Sequence, residues 1–202
     1  AANLAATFIQ AVQDRYGGTR LGRQELDGEI LDDTPGTLWT RAMFDEHRRR
    51  IPPPMARVVV AIDPSGTKGG DENDSVGIVV AGRGTDGRAY ILADRTCNLS
   101  PAGWGRQAVD AYHEFSASRL VYEANFGGAM VEHVIATTDR RVATKAVVAS
   151  KGKMVRAEPI AALYEQGKVS HVGAFPGLED QLCDFTPDGY VGERSPDRAD
   201  AA

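Results

Sequence analysis

The run Arg57-Val58-Val59-Val60-Ala61-Ile62-Asp63 constrains the fold more than any other part of the sequence. It is dominated by β-branched residues, stiff at χ1, and reads as a strand buried on both faces. Such strands belong to the interior of α/β sheets. Its end is as informative as its body. A carboxylate, Asp63, closes the strand and opens a glycine-rich loop that runs over residues 65–73.

The segments that follow alternate strand and helix. Residues 75–81 and 88–96 read as two further strands joined at Asp86-Gly87. Ser100-Pro101 starts a helix that extends to about Ser116, with Ser at the cap and Pro in the first turn. A fourth strand at 120–123, a helix near 127–137, a fifth strand at 144–148 and a helix over 154–165 stopped by Gly167 complete the pattern. Three strands in a meander followed by strand, helix and strand predict an α/β fold, a mixed central sheet with helices on both faces.

The first fifty residues differ. Leu4, Phe8, Ile9 and Val12 have helical spacing that ends at Gly17-Gly18, and a second short helix is expected over 38–50, before Pro52-Pro53-Pro54. Residues 1–54 are therefore expected to form a linker arm and 55–202 the main domain. Arg48-Arg49-Arg50 reads as a solvated face of that arm. Trp39, Trp104 and Tyr112 read as packing residues, and His113, His133 and His171 as structural histidines.

Composition narrows the function classes. With 42% hydrophobic and 25% charged residues, the 202-residue chain has the make-up of a globular protein. Cys97 and Cys183 lack partners at disulfide-framework or zinc-ligand spacing, which fits a reducing compartment. No apolar run reaches the ~18 residues of a membrane helix, so no membrane partner is expected. The net charge of −5, from 23 bases and 28 acids, counts at first sight against nucleic acid.

The positions of the acids allow two readings, as turn and cap residues, since Asp before Pro-Ser-Gly is a common turn, or as parts of a metal site. Asp63 ends the first strand, and Glu123 ends the fourth, before the loop Ala124-Asn125-Phe126-Gly127-Gly128. If these strands are neighbours, two carboxylates lie side by side at one sheet edge and require a cation to stay ionised. Oxygen donors without His or Cys favour Mg²⁺ or Mn²⁺ over Zn²⁺. In Ser195-Pro196-Asp197-Arg198-Ala199-Asp200, the acids Asp197 and Asp200 share a helix face as caps or as further ligands, and composition does not choose between these. No Ser, Cys or His has the paired base of a covalent nucleophile.

Asp63-Pro64-Ser65-Gly66 after one strand, Tyr122-Glu123-Ala124-Asn125 after another, and Ser195-Pro196-Asp197-Arg198-Ala199-Asp200-Ala201 together resemble the nuclease domain of tailed-phage terminase large subunits. Residues 17–29 and 151–159 resemble that family as well. The resemblance implies a ribonuclease-H-like fold and a hydrolase, an endonuclease that uses two Mg²⁺ or Mn²⁺ ions to cut concatemeric double-stranded viral DNA during genome packaging. It implies Asp63 as the bridging metal ligand, Glu123 and Asp200 as the other catalytic ligands, and Asp74 and Asp197 as auxiliary acids. In the full-length context the partners would be an ATPase domain, a small terminase subunit and the portal, in the host cytoplasm. Gly66-Thr67-Lys68 lacks the order of a phosphate loop, so no ATPase is expected in this segment. The chain stops at Ala202, which leads to the expectation of a truncated last helix.

Lys151, Lys153 and Arg156, near a helix start, are the leading candidates for DNA backbone contact, with Lys68 as a further one. The alternatives carried alongside are a ribonuclease-H-like junction resolvase or RNA-cleaving nuclease, and a non-catalytic module that docks the motor to the portal. Asp63, Asp74, Glu123, Asp197 and Asp200 equal in number the excess of acids over bases. Bound divalent metal is therefore expected to raise DNA affinity.

Overall fold

Burial along the strands of the computed structural model, which describes residues 36–64, 75–125 and 127–202, divides the sheet into two unlike faces. Strand β1 (Met55–Asp63) pairs antiparallel with β2 (Gly77–Gly84), and β2 pairs antiparallel with β3 (Ala89–Asp94). Strand β4 (Arg119–Glu123) lies parallel to β1, and β5 (Thr144–Val147) parallel to β4. A short β6 (Val169–His171) runs parallel to β3, giving the order β5-β4-β1-β2-β3-β6.

Val58, Val60 and Ile62 of β1, Ile78 and Val80 of β2, and Leu120 and Tyr122 of β4 point to one face. Helices α2 (Pro101–Glu114) and α3 (Gly128–Thr138) cover it with Trp104, Ala108, Val131 and Ile135. Val79 and Ile91 point the other way, into a second core under α4 (Lys153–Glu165) and α5 (Pro176–Cys183), which contribute Tyr164, Leu178 and Leu182. The last helix, α6 (Asp197–Ala201), packs on β1 and β2, and a hairpin of β7 (Phe185–Thr186) and β8 (Gly189–Tyr190) precedes it.

The expected mixed sheet with helices on both faces is present, and three details differ. Strand β1 is not buried on both faces: Val58, Val60 and Ile62 are buried, whereas Val59, Ala61 and Asp63 are only partly covered. The helix expected over 38–50 is confined to α1 (Arg41–His47), because Arg48 turns to extended backbone. Strand β6 and the β7/β8 hairpin add to the expected elements, since two- and three-residue strands carry almost no periodic signal, and helix α5 is a further, eight-residue element beyond those expected. The helix expected near the N-terminus lies outside the described residues.

The described part of the arm is packed as far as Arg48, while Arg49, Arg50 and Ile51 are exposed, as expected of a solvated face. Trp39 and Phe44 are buried in the second core, edge-on to Tyr164. Arg48, expected on a solvated face, donates to Glu179 at 2.7 and 3.1 Å and to the Gly173 carbonyl at 2.6 Å. Glu179 is 1% exposed, and a carboxylate buried so deeply requires a cation beside it. His171, also buried, bridges Glu179 at Nδ1 and the Tyr164 hydroxyl at Nε2, in keeping with a structural role.

Candidate active site

Strand parity brings the acids together. Residues alternate faces along a strand, so Asp63 shares the partly open face with Val59 and Ala61. The parallel register Ile62↔Tyr122 sets Glu123 beside Asp63 at the end of the neighbouring strand, on the same face. On the other side Asp63 pairs with Gly77 of β2. Gly77 has the Asp197 main chain directly against its α-carbon, in space a side chain would fill. That close approach seats α6 over the strand ends and brings Asp197 and Asp200 to Asp63. Ala201 and Asp197 are both buried, so α6 is a docked helix and not a frayed end.

The electrostatics report the same convergence. The Asp63 carboxyl is pushed up to about 7, first by burial and then by the charges of Asp200, Asp197 and Glu123, with Lys153 opposing. Asp200 is also raised, by burial, against the lowering effect of Lys153. Lys153 Nζ donates to Asp200 at 2.5 Å, and Arg156 approaches Glu123 at 3.4 Å. Among the described residues, no three Asp, Glu, His or Cys side chains stand close enough to share one ion in this arrangement. The two cations of α4 sit on two of the acids. The donor set is entirely carboxylate oxygen, which suits a hard divalent cation, and the mutual repulsion at Asp63 is what such a cation would relieve.

Of the predicted site residues, Asp63, Glu123, Asp197 and Asp200 are brought together. Asp74 and Lys68 lie outside the described residues. Lys153 and Arg156, expected on DNA phosphate, are engaged with acids, while Lys151 is exposed in the turn before α4. Sequence reasoning passed over Arg119 and Lys145, which lie on the Glu123 face of β4 and β5. The signal available was the alternation within β4, where buried Leu120 and Tyr122 leave Arg119, Val121 and Glu123 on the other face.

A six-stranded mixed sheet flanked by helices, with acids at the ends of β1 and β4 and on the last helix, defines a ribonuclease-H-like fold. A profile of the Terminase RNaseH-like domain family matches residues 60–202, and the chain belongs to that family. The fold is similar to the nuclease domain of the large terminase subunit gp2 of bacterial virus Sf6, with 12% identity and a TM-score of 0.58 over 82% of this chain and 96% of that one. The large terminase nuclease of thermophilic phage G20c is similar at 14% identity and a TM-score of 0.54, over 80% and 95% of the two chains. The bacteriophage HK97 large terminase matches at 12% identity and a TM-score of 0.58 over 98% of this chain, which spans 49% of that protein. No curated protein sequence matches the chain.

Proposed function

We propose that this chain is the metal-dependent nuclease portion of a phage terminase large subunit, an endonuclease that hydrolyses double-stranded DNA during packaging. The observation that carries the reading is the convergence of Asp63, Glu123, Asp197 and Asp200 at one end of the sheet, where burial first and then the charges of the other acids push the Asp63 carboxyl up to about 7. The similar nucleases of G20c and Sf6 have been crystallised with magnesium, cobalt or manganese, which supports a divalent ion here. The full reading includes concatemeric DNA as substrate, and residues 1–54 as an arm from an ATPase portion to a nuclease over 55–202. It also includes the small terminase subunit and portal as partners, in the host cytoplasm.

Asp63, between β2 and β4, would be the ligand common to two Mg²⁺ or Mn²⁺ ions, with Glu123 and Asp200 as the further ligands and Asp74 and Asp197 as auxiliary acids. Held there, such ions would supply Lewis-acid activation of water and charge stabilisation at the leaving 3′ oxygen. The chain's own task is to hold the carboxylates rigidly. Strand register orients Asp63 and Glu123, and the Gly77 contact orients α6. Lys151, Lys153, Arg156 and Lys68 are the candidate phosphate contacts, and Lys153 and Arg156 would be available for that role where another cation took their place on Asp200 and Glu123. Backbone contacts of this kind carry little base preference.

The test is cleavage of supercoiled plasmid by the purified protein with Mn²⁺, beside Asp63→Asn. Nicking or linearisation by the parent and not by the variant is expected. Equal cutting by both, or by neither, overturns the reading. Branched DNA and RNA-DNA hybrid run in parallel separate it from a resolvase or an RNA-cleaving nuclease, and calorimetry with Mn²⁺ separates it from a docking module.

A further inference from the structure

The face of the sheet that carries Asp63 and Glu123 is covered unevenly. Helix α6 packs on β1 and β2 there, and α4 and α5 lie toward β3 and β6. Over β4 and β5 the burial pattern shows an open surface: Arg119, Lys145 and Val147 are exposed, and Val121 is half-buried. The register Val121↔Lys145 and Glu123↔Val147 orders this surface into rows that recede from the acids. Glu123 and Val147 form the row at the site, Val121 and Lys145 the next, and Arg119 the one beyond.

Alternate residues along a strand are about 6.6 Å apart, so Lys145 stands one such step from the acid row and Arg119 two. Phosphates on one strand of a duplex advance by about 3.4 Å along the axis, so each step matches about two phosphates. The side chains of Arg119 and Lys145 make no hydrogen bond or ion pair among the described residues, unlike those of Lys153 and Arg156. Glu123 is the only acid on these rows of β4 and β5. Beyond the acid row the shelf is therefore cationic, in a chain of net charge −5. At the opposite end, the Asn125 amide donates to the Ala149 carbonyl at 2.7 Å, which fastens the loop after β4 to the one that leads into Lys151. Cations thus flank the acids on two sides.

We propose that Arg119 and Lys145 form a track on the open face of β4 and β5 that holds the backbone of double-stranded DNA leading away from the acids. The track rests on the nuclease reading and deepens it by assigning the direction in which the duplex leaves the site. Both residues act by positioning. They touch phosphates remote from the cut and no reacting atom.

The experiment measures binding of a fluorescent duplex of arbitrary sequence by anisotropy across a salt series, and plasmid nicking with Mn²⁺. The proteins are the parent, Arg119→Ala/Lys145→Ala, and Arg106→Ala/Arg140→Ala. The last removes the same charge from α2 and the turn after α3, on the other face. The track variant is expected to bind about tenfold more weakly, with a log–log salt slope smaller by about 2. Its KM for DNA should rise while kcat holds, and circular dichroism should match the parent. Equal losses in both double variants, or none in the track variant, overturn the track. A parent that neither binds DNA nor nicks it overturns the nuclease reading on which the track rests.

Discussion

Gly77 and Asp197 meet without a side chain between them: the Asp197 carbonyl occupies the place where a Cβ at Gly77 would project. Because Gly77 is also the register partner of Asp63, this contact sets the height of α6 above the acid row.

Gly77→Ala is expected to push α6 off β2. Overpacking of this kind costs about 1–3 kcal/mol, a fall in Tm of roughly 2–4 °C per kcal/mol for a chain of this size. Mn²⁺ binding by calorimetry should weaken as well, since Asp197 and Asp200 move with the helix. Unchanged stability and unchanged binding would show that α6 accommodates the methyl group.

The metal-free protein should lose stability as pH rises from about 4 to about 7. Asp63 titrates near 7 in the fold against an ordinary 3.8, so between those values the native state binds a proton that the unfolded chain has released. One such group changes stability by at most about 1.4 kcal/mol per pH unit. Asp200, raised in the same direction, adds to the slope. Urea unfolding at about pH 5 and about pH 7 should show a clear fall in the parent and a smaller one in Asp63→Asn. Saturating Mg²⁺ should reverse it.

Glu179 should act in the opposite sense at lower pH. Burial pushes its carboxyl up, but hydrogen bonds from His171 and Arg48 outweigh this and hold it at about 2, below the ordinary 4.5. Its contribution is present above pH 4.5 and is lost as pH falls toward 2. Arg48→Met leaves the carboxylate buried with one cationic contact fewer. Breaking a buried pair costs about 3–5 kcal/mol, and the partial exposure of Arg48 points to the low end, about 3 kcal/mol by denaturant unfolding.

Lys153→Ala should strengthen Mn²⁺ binding while weakening DNA binding. The ammonium on Asp200 competes with any incoming cation, and exposed pairs of this kind contribute about 0.2–1 kcal/mol, so the gain is at most about fivefold. Calorimetry and anisotropy read the two effects separately. Loss of both affinities would assign Lys153 a role in holding α4 rather than in guarding Asp200.

The alternation of strands and helices, the acids at strand ends and the helix start before Asp197 were all legible in the sequence. Each depends on near neighbours: β-branched runs, Gly and Pro punctuation, and a proline in the first helical turn. The arm was legible only in part. Proline and arginine runs suggested a solvated spacer, yet Arg48 is drawn in by Glu179, a partner 131 residues away that no local pattern reveals.

By itself the sequence determined the succession of elements and the kinds of side chain at their ends, because propensity and periodicity act over a few residues. Tertiary structure decided which of those ends meet. The parallel pairing of β1 with β4, the missing side chain at Gly77 and the parity that puts Arg119 and Lys145 on the Glu123 face are relations between distant segments, fixed by register and close packing. The same long-range packing set Lys153 and Arg156 against the acids, because like charges crowded at one sheet end draw in the nearest cations.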